Sequence, residues 1–314
     1  MKEEFVNINQ LLYTNVIIAF FSLISSLVII TLYLKKKELK ENNYTIFTCI
    51  AASNAINAIT QFFGLVFIDY EQSTVNKKWY ANTQRILNLL AEFSYAYYSL
   101  YYFYYIYEKI TTFKKSSKYL YHIIIGIFLF TLSCSIIFVL FFNLNVSDDT
   151  KIVGFDGLYI LNGLFSIDDV ENAGIVQTLY YIVFFPPLFL CFFIINKLRI
   201  KLSESLKQDE AQKTRFLKRF YDLLMFLLVY ASLNLIVGIL YDTYETLFKE
   251  NIINREVYYI RIDLLFSYLV NLLANSRGIV YFFIFLMDDK VAKLVSDYVE
   301  KFRTIKKIRK FLIS

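Results

Sequence analysis

The sequence predicts an all-α membrane protein: a seven-transmembrane helix bundle, N-terminus outside and C-terminus in the cytosol, followed by a cytosolic amphipathic eighth helix. Three observations predict it. Of the 314 residues, 57% are hydrophobic and 19% charged, whereas soluble domains are roughly 45–50% apolar and about 25% charged. The apolar residues come in long blocks separated by short charged stretches. Lysine and arginine gather in alternate connections between those blocks, the pattern that orients spans in a bilayer.

Crossing a hydrocarbon core of about 30 Å takes roughly 20 apolar residues as a helix. Seven stretches meet that length: 11–34, 44–68, 82–107, 119–142, 173–196, 220–244 and 260–287. All exceed strand length and lack the two-residue alternation of a membrane barrel, so each satisfies its backbone as a helix. The stretch 82–107 is the least apolar, since it carries Arg85 and Glu92, but Phe93 to Tyr107 is too apolar for a loop. The chain divides into a short extracellular segment 1–10, a transmembrane domain 11–287 and a cytosolic tail 288–314. No cleavable leader is legible, and the first span is expected to serve as an uncleaved anchor.

Connections 35–43, 108–118 and 197–219, with the tail from 288, hold 24 of the 33 Lys and Arg residues. The N-terminus and the loops 69–81, 143–172 and 245–259 hold six, and Arg85, Arg261 and Arg277 lie inside spans. This split predicts the orientation and an odd number of spans. Asn145, in Asn145-Val-Ser147 of a predicted outside loop, is a glycosylation acceptor by pattern. Cys49, Cys134 and Cys191 all fall within spans, so no extracellular disulfide is expected.

Composition also removes chemistries. With one histidine, His122, a zinc hydrolase is excluded. No lysine in 260–287 can form a retinal Schiff base, and Asp242 has no second aspartate in the motif of an intramembrane protease. No enzyme, cofactor, metal or nucleic-acid partner is expected; the lipid bilayer is. The high aromatic content carries little weight, because Phe, Tyr, Ile, Lys and Asn are what AT-rich codons encode.

Polar residues inside spans are the candidate functional residues. Ser53, Asn54, Asn57 and Gln61 share one helical face, and Asn271, Asn275, Ser276 and Arg277 cluster in the inner half of the seventh span. Asn54 and Arg277 each lie ten residues from the cytosolic end of their spans, which predicts a network around Arg277 with amide oxygens as acceptors. Conformational switching and static adhesion both fit such a network. In the third span Arg85, Asn88 and Glu92 form a polar stripe; Glu92 is expected to contact a ligand, to pair with a cation or to be protonated. With Asp242 and Arg261 at the outer rim, these three make up the ligand-facing set. Pro186-Pro187 is expected to kink the fifth span.

From Asp288, Val291, Leu294, Val295, Tyr298, Phe302, Ile305 and Ile308 recur at three- and four-residue steps. Acids open this stretch and bases close it, matching a helix dipole. Its place is on the inner leaflet.

Seven helices, an outside N-terminus, a basic third cytosolic loop and an eighth helix resemble a G-protein-coupled receptor. The most specific piece is Asn275-Ser-Arg-Gly278, then Ile-Val-Tyr-Phe-Phe-Ile-Phe285 and Asp288-Asp-Lys-Val291. It resembles the seventh-helix ending of the cyclic-AMP-receptor-like and adhesion/secretin receptors, with Arg277 where that pattern has Gln and with Gly278 in place. The chain lacks the Asn-Pro-x-x-Tyr and Cys-Trp-x-Pro motifs of rhodopsin-type receptors, and Tyr107-Glu108-Lys109 is at best a remnant of an acidic-arginine motif. The resemblance implies an extracellular ligand held between helices three, five, six and seven, and a heterotrimeric G protein contacting Lys109, Arg199, Lys213, Arg215, Lys218 and Arg219. It also implies a switch built on Asn54, Asn57, Asn275, Ser276, Arg277 and Gly278. A transporter or channel is the competing reading, carried by Glu92 and Arg277 as members of an ion path. The lack of internal repeats and of Gly/Pro-broken helix pairs counts against it.

Overall fold

The structure, a computed structural model, describes residues 2–66, 77–112, 119–141, 170–206, 272–273, 275–288 and 290–297. Among these residues all regular structure is helical. Helix α1 is Lys2–Lys35 and α2 is Asn42–Val66, with a short 3-10 turn Lys37–Leu39 between them. Helix α3 is Lys77–Thr112, α4 Leu120–Phe141 and α5 Val170–Leu206. A shorter apolar helix, α6, covers Asn275–Leu286, and α7 covers 290–297. The expected spans 11–34, 44–68, 82–107, 119–142 and 173–196 thus coincide with α1 to α5; 220–244, and residues 260–271 and 274 of the seventh, lie outside the described residues.

Two boundaries differ from the sequence reading. Helix α1 starts at Lys2, ahead of the span expected from residue 11, and no glycine or proline stands between Lys2 and Lys35 to stop it. Helix α5 runs ten residues past 196 into the expected loop 197–219 and carries Arg199. The hydropathy drops at Lys197, but the buried stripe Cys191, Ile195 and Leu198 continues across it, and packing rather than average polarity decides where the helix ends.

Three helical stretches are long and apolar enough to cross a membrane: Val16–Lys35, Leu120–Val139 and Ile182–Lys201. Only 22% of each is buried, and large apolar side chains such as Phe20, Phe21, Ile24, Phe128, Leu129, Phe189 and Phe193 are exposed along them. Helices α2 and α3 are the reverse. Ser53, Asn54, Asn57, Thr60 and Gln61 of α2 are buried, as are Gln84, Asn88, Glu92, Ser94 and Ser99 of α3. Apolar surface outside and polar side chains inside is the arrangement of a helical membrane protein, where hydrocarbon surrounds the bundle and only other helices can satisfy polar groups.

Side-chain contacts give the helix directions. Tyr33 of α1 meets Thr45 at the start of α2 through hydroxyls 2.9 Å apart. The Thr60 hydroxyl donates to Asn88 at 3.4 Å, and Ile46 packs with Tyr105, so α2 and α3 are antiparallel. Ser94 and Thr131 share a 2.9 Å hydroxyl contact while Tyr98 donates to the Ile124 carbonyl at 3.1 Å, which makes α4 antiparallel to α3. Tyr97 meets Val183, and Lys201 lies over the Tyr107 ring, so α5 runs parallel to α3. Helix α6 is parallel to α3 as well, with Arg277 against Glu92 and Tyr281 against Ser99. Helix α3 packs on α2, α4 and α5 and is the centre of the bundle. Lys35, Lys40, Lys109, Lys197, Lys201 and Lys290 all fall at one end, called the basic end below.

At that end Phe47 packs on Tyr102, Tyr281 and Phe285, each 5.5 Å away between ring centres. Asp288 then caps α7: its Oδ1 accepts from the backbone N–H of Lys290 at 2.9 Å and of Val291 at 3.3 Å, the bonds an N-cap makes. Val291 is fully buried and Leu294 and Val295 are half-buried against the same core, while 290, 292, 293, 296 and 297 are exposed. The stripe expected from Val291 is therefore present as far as Val295; Tyr298 and beyond lie outside the described residues. Lys290 reaches Glu41 at 2.5 Å, and that hydrogen bond raises the lysine's pKa above its ordinary value. The pair is exposed and contributes little to stability.

Helix α5 contains Pro186 and Pro187 yet is continuous through them. A proline at 187 supplies no N–H to the carbonyl four residues earlier, which is that of Val183. The Tyr97 hydroxyl donates to that carbonyl at 3.3 Å. The neighbouring helix thus satisfies a backbone group that the lipid could not. Tyr97→Phe is expected to leave it unpaired and to destabilise the protein by about 1–3 kcal/mol. A lower melting temperature in lipid nanodiscs would register this, together with faster cysteine labelling at Cys191, one turn beyond the prolines.

Candidate functional site

The buried polar residues of α2, α3 and α6 form one continuous layer. On α2 they recur at 53/54, 57 and 60/61, and on α3 at 84, 88 and 92, one helical turn apart in each case, which puts each set on a single face. Antiparallel packing lays the two faces together. Gln84 Nε2 donates to the Thr60 carbonyl at 3.2 Å, and Thr60 donates to Asn88 Oδ1 at 3.4 Å. Helix α6 closes the layer, with Asn57 Nδ2 donating to Asn275 Oδ1 at 3.5 Å, a weak bond at the limit of hydrogen-bond geometry.

Its centre is an ion pair. Arg277 Nη1 lies 2.8 Å from Glu92 Oε2, with side-chain exposures of 10% and 12%. The Arg277 guanidinium also sits over the Tyr95 ring, 4.6 Å from its centre, a cation–π contact that strengthens as water is excluded. Tyr95 in turn meets Tyr281 edge-on at 5.8 Å, and the Tyr281 hydroxyl lies 3.3 Å from that of Ser99. Glu92 thus takes one of the three fates expected of it, pairing with a cation. Arg277 Nη1 donates to that carboxylate, where the sequence led to amide oxygens as the expected acceptors. A carboxylate offers a full charge where an amide offers a dipole, so it wins wherever geometry allows.

Helix α6 meets α1 at Gly278. Its backbone N–H donates to Ser22 Oγ at 3.1 Å. A Cβ placed there would come within 2.3 Å of Ser22 Oγ, 2.6 Å of the Ser22 carbonyl and 2.7 Å of Ser26 Oγ. Only glycine allows this approach, the close small-residue packing that joins membrane helices. Gly278→Ala is expected to force α1 and α6 apart, destabilising by about 1–3 kcal/mol as an overpacked contact does, while Gly126→Ala, with nothing within 4 Å, is expected to be neutral. Melting temperatures of the two variants side by side check this.

The other sequence candidates fall as follows. Asn88 is buried on the inward face next to Glu92, and Asn54 is buried one turn along from Asn57. The Ser276 hydroxyl donates to the Leu273 carbonyl at 3.1 Å, within its own helix. Arg85 lies on α3 and its side chain is outside the described ones; the buried polar stripe of that helix is Gln84, Asn88 and Glu92, spaced by four. Lys109 is exposed at the basic end of α3, and Arg199 is half-buried on α5. Asn145, Lys213, Arg215, Lys218, Arg219, Asp242, Arg261 and Asn271 lie outside the described residues. Sequence reading missed Thr60, Gln84, Ser22 and Tyr95; the spacing of 84, 88 and 92 was the available signal for Gln84.

Five buried side-chain atoms of this region have no hydrogen-bond partner among the described residues: Ser26 Oγ, Asn54 Nδ2, Gln61 Oε1, Gln84 Oε1 and Asn275 Nδ2. A dry group of this kind costs about 1–3 kcal/mol. Cys49, Cys134 and Cys191 are free thiols. No protein-family model matches the chain, and no curated protein matches it significantly.

Removing one partner of a buried ion pair strands the other charge, at about 3–5 kcal/mol, whereas replacing both by apolar groups of similar size is close to neutral. Glu92→Leu and Arg277→Met are therefore each expected to lower the melting temperature strongly. The double variant is expected to recover most of the loss, and a double-mutant cycle on purified protein measures the coupling.

Proposed function

We propose that this chain is a plasma-membrane receptor of the G-protein-coupled kind, with seven spans, an outside N-terminus and a cytosolic basic end. The observation that carries the reading is the Glu92–Arg277 pair. It ties the central helix α3 to α6, and α6 leads within a few residues into the capped helix α7 at the basic end. An eighth helix packed beside the last span is what the resemblance implies. Helices α5 and α6 both run toward the basic end, which fits one further crossing between them, at the expected span 220–244.

In this reading an extracellular ligand binds one packing of the helices better than another and shifts the population toward it. The ligand-facing set is Arg85, Asn88, Asp242 and Arg261, with Glu92 at its floor. Asn54, Asn57, Asn275, Ser276, Arg277 and Gly278 form the polar layer whose rearrangement carries the change. Lys109 and Arg199, with Lys213, Arg215, Lys218 and Arg219 of the basic connection, would meet a heterotrimeric G protein. A membrane transporter or channel is the second reading, and one observation favours it: a carboxylate and a guanidinium in the bundle interior are also what an ion path is built from.

Nucleotide exchange on a panel of G proteins, measured on cells or nanodiscs during a ligand screen, separates the two. Ligand-dependent exchange is expected, with raised basal exchange in Glu92→Gln, where the tie between α3 and α6 is cut. Ionic current on expression without exchange on any G protein would replace the receptor reading with the second one.

A further inference from the structure

We infer that the polar column between α1, α2, α3 and α6 is a binding site for internal water, whichever activity the protein has. The column is continuous: Gln84 bonds the Thr60 carbonyl, Thr60 bonds Asn88, and Asn57 bonds Asn275, in steps of 3.2, 3.4 and 3.5 Å, with the Thr60 hydroxyl joining the two parts by donating to the Asn57 carbonyl at 2.6 Å. Along it lie Ser26, Asn54, Gln61, Gln84 and Asn275, each 0–3% exposed and each with a side-chain atom that meets no partner among the described residues. Hydrocarbon offers these atoms nothing.

Their chemistry selects the ligand. Two are amide N–H donors, Asn54 and Asn275; two are amide oxygen acceptors, Gln61 and Gln84; the hydroxyl of Ser26 can act as either. The charges beside them already balance, Arg277 against Glu92. A cation would face the two Asn donors and the guanidinium. An anion would face the two Gln oxygens and the carboxylate. Water donates and accepts and adds no charge, and it is held where polar groups offer several partners. Two of the three linking bonds are also stretched, at 3.4 and 3.5 Å, so a small separation of α2 from α3 and α6 lets water bridge them.

X-ray radiolysis of the protein in nanodiscs tests this, because hydroxyl radicals born from bound water oxidise the side chains beside it even where bulk solvent cannot reach. Tyr95 and Tyr281, next to the ion pair, are the reporters. Phe93 and Phe138, packed on each other at 5.7 Å on the α4 side of α3, are the controls. Oxidation of both tyrosines several-fold faster than of the two phenylalanines is expected; equal rates overturn the inference. Asn54→Leu and Gln61→Leu give a second readout of opposite sign for the two cases. Removing a dry unpartnered amide raises the melting temperature, whereas removing a hydrated one lowers it. A fall in both is expected, and a rise in either overturns the site. The labelling uses the unmodified chain and decides the matter even where a variant fails to fold.

Discussion

A bilayer supplies no hydrogen bonds, so every polar group carried into it must find its partner within the protein or in water held there. In this protein that constraint is concentrated at Glu92 and Arg277. Each ion alone would be intolerable in hydrocarbon, and together they are buried at 2.8 Å with an aromatic face above the cation. Their pairing requires α3 in the middle of the bundle and α6 beside it. With α3 central, its polar face must be covered, and α2 covers it with Asn57, Thr60 and Gln61. The three strongly apolar helices are left for the outside. The arrangement of the described helices follows from satisfying one pair of charges.

The same constraint accounts for details that look unrelated. Tyr97 donates to a carbonyl released by Pro187, a group that hydrocarbon would leave unpaired. Ser22 accepts from the Gly278 backbone, and Ser94 and Thr131 meet across the α3–α4 contact. Serine and threonine hydroxyls also bond back into their own helices, as at Ser53, Thr131 and Ser135, which lets them sit in the bundle before a partner helix arrives. The buried polar residues here are therefore turned inward beside an apolar core, while many apolar side chains of α1, α4 and α5 face outward.

That arrangement explains what the sequence could and could not disclose. Apolar blocks located α1, α2, α4 and α5 to within a few residues at most of their ends, because hydropathy measures transfer to lipid directly. The helices run beyond those blocks at the start of α1 and the end of α5, where no breaker intervenes and Leu198 keeps the buried stripe going past Lys197. The polar residues of α2 and α3 were legible as one-faced stripes, but stripe spacing does not say which helix they face. Arg277 was placed level with Asn54 by counting residues, and pairing with a cation was one of three fates expected of Glu92, but nothing in the sequence named Arg277 as that cation. Depth is readable from a sequence; azimuth and neighbour are not, since both depend on contacts between residues 185 positions apart. The close approach at Gly278 follows from its missing Cβ, whereas Ser22 as the residue it approaches had no signal in the sequence.

Helix α6 has a position no other described helix shares. Within about three turns it touches α1 through Gly278, α2 through Asn275, α3 through Arg277 and Tyr281, and the aromatic cluster at the basic end through Phe285. A helix of this length is stiff, so a displacement at Arg277 arrives at Phe285 as a shift or rotation of the whole element and is not absorbed between them. Beyond it the chain turns at once into α7, fixed by the Asp288 cap, by Val291 in the core and by Lys290 against Glu41. These anchors differ in strength: the cap and the buried valine resist, while the exposed ion pair is easily exchanged for water. A movement of α6 would therefore carry α7 with it and release the contact to the α1–α2 connection first, which makes the contact between Lys290 and Glu41 the place where a change in the buried layer becomes visible on the surface.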